Sequence, residues 1–440
     1  MSETIVVSVS CAVTIGGSFR NVKQLEEAIQ ERAVRAVQQL YAVAFEQYQR
    51  QWLAQRADRY VGQCWRHRQC VTPFGLVQLP TLVVRERGCA RGGYHSLLRQ
   101  LWRGKATRLL SPTLEKQAVE LAGELNYRPA AWRLSQRCGA TVSHWALWQC
   151  VQYYGEKLQQ QLERDWWPDP ARRVSESVVV TEMDSTYLKW QRRGRVRADR
   201  EHFAMHLGLH YTGRSRRIQR RGRTDVVLDN KTWLLSTGNI GLFGTRLRRH
   251  RDRHYGAGSA LSVLISDGDT GLAWVREREF AESVWLLDRW HIARAVREYV
   301  GPNEAAYRQI MGAVYHHDAE EVLEQLRTVA RQGTGESDEQ FRTVFGYILG
   351  CREGIDAYGQ IPSRWRRRQG RLGPVVRASS GAVEKNIEVR INRRFKRQGR
   401  SWNPVRADRL AQLSWLQAQP ESWPRWWDKV CLATTKVNPG

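Results

Sequence analysis

The sequence predicts an α/β core with a helical insertion, preceded by a mainly α N-terminal region. Three observations carry that expectation. Apolar residues recur at helical spacing from Asn21 to about Arg59 and again from Ser111 to Tyr154. After Asp165-Trp166-Trp167-Pro168-Asp169-Pro170, which reads as a linker, the pattern changes to β-branched runs, two of which end on a carboxylate. Helical spacing then returns from Ile292 to Tyr358.

In the first region Leu25, Ala28, Ile29, Ala33, Ala36, Val37, Leu40 and Ala44 mark one face of a long amphipathic helix. Gln69 to Arg87 holds two short β-rich runs broken by Pro73, Gly75 and Pro80, which suggest a small hairpin. Ser111 and Pro112 suit the N-cap and first position of a helix. Pro129 to Arg137 reads as a short helix, Cys138-Gly139-Ala140 as a turn, and Thr141-Val142-Ser143 as the cap of a second helix from His144. That order is a helix-turn-helix candidate, whose second helix would enter a DNA major groove and place Ser143 and His144 against DNA; an ordinary αα-hairpin has the same pattern.

Strands are expected at Ser177–Asp184 with a continuation at Tyr187–Trp190, at Phe203–Tyr211, at Asp225–Leu235, at Ser262–Ser266 and at Ser283–Leu287, with a helix over about Gly241–Tyr255. Three meandering strands, then helix, strand, helix and strand, follow the order of a ribonuclease-H-like sheet. The expected segments are residues 1–110, helical with a small hairpin; 111–170, helix-turn-helix-like; 171–291, the first part of the core; 292–362, the helical insertion; and 363–440, the last core helix and a basic C-terminal segment. Trp423 to Trp427 reads as core packing.

At 440 residues, 42% apolar and 26% charged, the chain has the composition of a soluble protein of about two to four domains. No run approaches the roughly 18 apolar residues of a membrane span, so no membrane association through a span is expected. An acid in Met1-Ser2-Glu3-Thr4 stands where an export signal needs Lys or Arg, and 8 Cys are too sparse for a disulfide scaffold; a cytoplasmic, nucleoid-associated location is expected. The formal charge of +26 favours a polyanionic partner.

Asp184 ends the first core strand and Asp267 follows the fourth, so neighbouring strands would bring both into one cleft, with Glu384 supplied by a helix near Ser379-Ser380-Gly381. Three such carboxylates suit two-metal phosphoryl transfer, in which the cations sit about 3.5 to 4 Å apart. Oxygen ligands of this hardness select two Mg²⁺ or Mn²⁺ ions, and no small-molecule cofactor is called for. Glu182, Asp269 and Glu388 are nearby alternatives; Glu182 shares a strand face with Asp184 and could assist or replace it.

These residues resemble a family. Thr181-Glu182-Met183-Asp184, Ile265-Ser266-Asp267-Gly268-Asp269, Leu287-Asp288-Arg289-Trp290-His291, and Ala382-Val383-Glu384 with Ser401-Trp402-Asn403 are similar to motifs of the ISLre-type insertion-sequence transposases, on the Mutator-like side of the DDE enzymes. Thr72-Pro73-Phe74-Gly75 and Tyr127-Arg128-Pro129-Ala130-Ala131 extend the likeness over roughly Cys70 to Leu413. The resemblance implies that Asp184, Asp267 and Glu384 bind metal, that Asp288 and His291 form the family's Asp-x-x-His element, and that the substrate is double-stranded DNA, transposon ends and target, cut and joined by a homo-oligomer. Ser185 and Thr270-Gly271-Leu272 depart from the family's usual residues, which touches loop geometry and leaves an inactivated copy open.

Basic runs fit a DNA track: Arg192, Arg193 and Arg195; Arg216 and Arg217; Arg246 to Arg253; and Arg393, Arg394 and Arg397. Cys64, His67, Cys70 and Cys89 have the composition of a zinc site but not the spacing of a standard finger. Two other functions remain open: a catalytically inactive, domesticated DNA-binding protein, and a ribonuclease-H-like nuclease or resolvase that cuts without joining.

Overall fold

The computed structural model describes residues 10, 12–88, 93–98, 110–164, 167, 178–191, 202–218, 224–256, 261–361, 382–397 and 400–432. The chain divides into two units, Met1–Pro168 with Leu416–Gly440, and Asp169–Trp415. The stretch expected as the last core helix with a basic C-terminal segment, residues 363–440, is divided between them: the part from Leu416 groups with the first unit, where its tryptophans pack.

In the first unit, helix α1 (Val22–Ala54) starts at Asn21, whose side chain accepts from the Gln24 amide. It lies on an antiparallel hairpin, β1 (Tyr60–Thr72) and β2 (Gly75–Glu86), to which β3 (Tyr94–Ser96) adds. This hairpin is longer than expected: the chain turns at Pro73-Phe74, Gly75 to Glu86 run as one strand through Pro80, and the polar Tyr60–Thr72 segment is its partner, paired from Tyr60↔Glu86 to Thr72↔Gly75. Periodicity missed β1 because most of its side chains are exposed or half-exposed. Buried Gln49 of α1 meets the strand around Pro80, donating to the Pro80 carbonyl at 2.8 Å and accepting from the Leu82 amide at 2.8 Å.

Helices α2 (Pro112–Glu124), α3 (Tyr127–Cys138) and α4 (His144–Glu163) follow. The α3–α4 turn has the expected form. Gly139 is left-handed at φ 65°, the Ser135 hydroxyl accepts from the Val142 amide at 2.8 Å, and Ser143 caps α4 by accepting from the Ala146 amide at 3.2 Å. The final helix, α14 (Ser422–Leu432), buries Trp423, Trp426 and Trp427; Trp423 donates to Glu120 and Trp427 packs on Tyr154.

The second unit is a mixed α/β body around a five-stranded mixed sheet. Its strands are β4 (Val178–Lys189), β5 (His202–Tyr211), β8 (Thr232–Ser236), β9 (Leu261–Ser266) and β10 (Val284–Leu287), in the order β10-β9-β4-β5-β8. β4, β5 and β8 are antiparallel neighbours, while β9 and β10 run parallel to β4. The run expected as one strand at Asp225–Leu235 is two, because Asn230 turns the chain at φ 51°. β7 (Thr224–Asp229) pairs with β6 (Gly213–Ile218) in a separate ribbon, and β8 joins the main sheet.

On one sheet face, helix α5 (Ile240–Tyr255) lies so close that a Cβ on Gly208 would come 2.1 Å from Leu247. The other face carries Val178, Val180, Tyr211, Val263, Ile265 and Leu286 against Ala357 and Tyr358. Helix α6 (Thr270–Glu279) links β9 to β10. After β10 come α7 (Arg289–Val300), α8 (Glu304–His316), α9 (Ala319–Arg331), α10 (Asp338–Gly350) and α11 (Arg352–Gln360), a helical run as expected. A short α12 (Ala382–Asn386) carries Glu384 into a π-helix (Ile387–Lys396), and α13 (Pro404–Gln417) follows. Among the described residues no helix is long and apolar enough to cross a membrane.

Candidate active site

Strand register gathers the acids. In the parallel pair β4–β9, Val180 is level with Val263 and Glu182 with Ile265; the same offset sets Asp184 level with Asp267, one residue beyond β9. In β9–β10, Leu287 is level with Ser266, which sets Asp288 beside Asp267, and the Asp288 amide donates to the Ser266 carbonyl at 2.9 Å. Three acids thus stand side by side where parallel strands end, the edge at which α/β sheets place ligands.

Two helices complete the group. Asp288 caps α7, accepting from the Trp290 amide, and its other oxygen meets His291 Nδ1 at 2.6 Å. That contact turns Nε2 toward Glu384 Oε1, 3.7 Å away. Ligand atoms of Asp184, His291 and Glu384 all lie within 4.8 Å of one another. Of the expected trio, Asp184 and Glu384 therefore meet in this tight cluster with His291, while Asp267 stands beside it, its Oδ1 accepting from the Asp269 amide at 3.0 Å.

Electrostatics reports the crowding. Burial, then the charges of Asp267 and Glu384, push the Asp184 carboxyl up to about 7. Burial also raises Asp267 and Glu384. For His291, burial opposes the charged form, but the hydrogen bond and charge of Asp288, with the charges of Asp267 and Asp184, outweigh it and raise the imidazole. Crowded carboxylates that hold their protons are stabilised by an added cation. Two carboxylates and an imidazole in mutual reach, with a third carboxylate beside them, form a donor set that fits a divalent ion. Of the group, Asp267 and His291 line a cavity of about 530 Å³, together with Asp269, Arg294 and Tyr347 among others.

Tyrosines on the helical run hold the strand ends: Tyr347 of α10 donates to the Asp267 carbonyl at 2.8 Å, and Tyr358 of α11 to the Leu287 carbonyl at 3.1 Å. Gly268, at φ 82°, leaves room for Cys351, whose Sγ would be 2.6 Å from a Cβ there. Neither Tyr347, Tyr358 nor Cys351 stood out in the sequence, because a tyrosine bonded to a backbone carbonyl has no spacing signature.

The nearby alternatives have other partners. Glu182 is fully buried, bonded to Tyr211 and the Val383 amide, and burial pushes it up to about 8. Asp269 caps α6 by accepting from the Gly271 amide. Glu388 is half-buried and pairs with Arg397 and Asn392. Ser185, an unusual residue for the resembled family, donates its amide to Asp184 and pairs its hydroxyl with His206 at 2.7 Å.

Of the expected DNA contacts, Arg393 and Arg397 are exposed, but Arg394 is buried with its guanidinium over the Trp402 and Phe395 rings; its methylenes and charge face the interior, so it does not stand on a DNA-facing surface. Arg192, Arg193 and Arg195 lie outside the described residues, and so do the side chains of Arg216 and Arg217 on β6. Ser143 and His144 are exposed, with exposed Trp145 beside them stacked on Trp148 at 4.3 Å. The zinc composition does not assemble: an odd separation along β1 sets His67 on the opposite face from Cys70, Cys64 is exposed while Cys70 is buried, and Cys89 lies outside the described residues.

The profile of an uncharacterised protein family, UPF0236, matches residues 18–414. No curated protein matches the chain. Among solved structures, a Drosophila P element transposase strand transfer complex is similar at 10% identity over 76% of this chain and 86% of its own, with a TM-score of 0.26.

Proposed function

The chain belongs to the uncharacterised protein family UPF0236, and from its own site we propose that it is a DNA transposase of an insertion sequence, cutting and joining DNA at a DDE-type site. The observation that carries this reading is the meeting of Asp184, His291 and Glu384 within 4.8 Å, with Asp267 and Asp288 level on the same sheet edge. The strand order, three antiparallel strands and two parallel additions, supports a ribonuclease-H-like core with a helical insertion, and the resemblance to ISLre-type transposases agrees with it.

Asp184, Asp267 and Glu384 would hold Mg²⁺ or Mn²⁺, with His291 in reach of the same position. When bound, two such ions supply an activated nucleophile and stabilise the attacking and leaving oxygens of the phosphodiester. The protein's own part is placement. Asp288 holds the His291 Nδ1 proton, which leaves Nε2 facing the site as a ligand or, when protonated, as a donor to a phosphate oxygen. Tyr347 and Tyr358 hold the backbone at Asp267 and at Leu287, the residue before Asp288, so both acids would meet a substrate without rearranging. Arg393 and Arg397, with the helix start at Ser143 and His144, would bind phosphates and grooves of the DNA, and the enzyme would act as a homo-oligomer on the nucleoid.

The test is cleavage of a labelled duplex carrying the element's ends, with Mg²⁺, followed by strand transfer to a target plasmid. Asp184→Asn, Asp267→Asn and Glu384→Gln should each lower cleavage at least about 100-fold, a loss of roughly 3 kcal/mol, and leave DNA binding intact. Cleavage retained by a variant removes that residue from the site. Binding without cleavage by the wild type would mark a domesticated binder, and cleavage without joining a nuclease or resolvase.

A further inference from the structure

We propose that Glu182 is a positioning residue for Glu384, a buried carboxylate that sets where the helix bearing the third acid begins; this rests on the catalytic reading above. Glu182 lies two residues before Asp184 on the same face of β4, level with Leu209 as Asp184 is with Leu207. It is 0% exposed. Its Oε2 accepts from the Val383 amide at 2.9 Å, while Oε1 accepts from the Tyr211 hydroxyl at 2.5 Å and lies 3.4 Å from the Arg214 guanidinium.

The Val383 amide belongs to the first turn of α12, where backbone donors have no acceptor within the helix, and a carboxylate there is favoured by the helix dipole. Val383 immediately precedes Glu384. One side chain therefore bonds the strand that carries Asp184 to the turn that carries Glu384, and Tyr211 and Arg214 hold its other oxygen. Residues on the same strand face, Val178 and Val180, are apolar. A buried carboxylate among them costs desolvation that a valine would not, and the bond across to α12 is what it supplies in return. Its bonded oxygens face Tyr211, Arg214 and Val383, which makes its action on the site indirect, through Glu384.

Glu182→Leu keeps the bulk and removes the acceptor, whereas Glu182→Gln keeps one oxygen for the Val383 amide. The experiment reads Mn²⁺ binding to the full chain by titration, next to DNA cleavage and thermal unfolding. Glu182→Leu is expected to remain folded with Mn²⁺ affinity and cleavage lowered about 10- to 100-fold, the scale of losses around metal ligands, and Glu182→Gln to recover most of both. A purely structural role would lower the unfolding temperature and leave Mn²⁺ affinity of the folded protein at the wild-type value, which overturns the proposal. Should Glu182→Leu fail to fold, Tyr211→Phe takes its place: it frees the other oxygen and should weaken Mn²⁺ binding in the same direction by a smaller factor, and unchanged binding overturns the proposal equally. Asp184→Asn run alongside separates the two readings. If it cleaves like the wild type, the catalytic reading fails; if it is inactive while Glu182→Leu binds Mn²⁺ and cleaves normally, the positioning role alone is lost.

Discussion

At the scale of single residues, the site is a balance between carboxylates that repel and a histidine whose charged form their charge favours. Asp184 shows the consequence. Its carboxyl is raised from 3.8 to about 7 by burial and by Asp267 and Glu384, so without metal the stability it contributes is full below its ordinary value and lost as pH rises through about 7. A divalent ion bound there would have to displace that proton. Between about pH 5.5 and 7, Mn²⁺ affinity should therefore rise by up to roughly tenfold per pH unit and then level; a titration series that finds flat affinity over this window would contradict the shared site. In the sequence, Asp184 and Asp267 were marked by their place at strand ends and Glu384 by a helix expected near Ser379, whereas Asp288 and His291 were marked only by the family resemblance. That His291, and not Asp267, shares the tight cluster was not legible, because it depends on side-chain rotamers after an Asp288 bond of 2.6 Å.

At the scale of elements, close approach and capping decide what the chain tolerates. Gly208 of β5 faces Leu247 of α5 with no space for a Cβ, so Gly208→Val should destabilise the folded protein by about 1–3 kcal/mol through overpacking, read as a lower urea midpoint; wild-type stability would mean α5 can withdraw from the sheet. In the helix-turn-helix candidate, Ser143→Ala removes the cap on α4 and should cost about 0.5–2 kcal/mol, while His144→Ala should leave stability unchanged and weaken DNA binding in a gel-shift series. Equal DNA affinity for wild type and His144→Ala would remove that helix start from the interface. The turn itself was readable from Gly139 and Ser143. β1 was not: its burial runs from end positions only, and a strand whose middle faces solvent has no alternation to detect.

At the scale of the molecule, a charge of +26 predicts affinity for any duplex that falls steeply with salt, since neutralised phosphates release counterions. Arg393→Ala and Arg397→Ala should each flatten the log–log salt slope by about 1 if each meets one phosphate, whereas Arg394→Ala should act on stability, its guanidinium being packed over Trp402; an altered slope for Arg394→Ala with unchanged unfolding would reverse that assignment. Composition, charge, the alternation of helical and β-branched segments, and the acids at strand ends follow from local physics, in which each residue's propensity and polarity act over a few neighbours, and these were set along the chain alone. Pairing was not. Asn230 splitting one apparent strand between two sheets, Trp423 to Trp427 packing with the first unit, Tyr347 and Tyr358 holding the strand ends, and Glu182 bonding to Val383 all join residues distant in sequence. Such contacts exist only after chain segments dock, because a hydrogen bond or a packed ring depends on distance in space, and one-dimensional spacing carries no record of it.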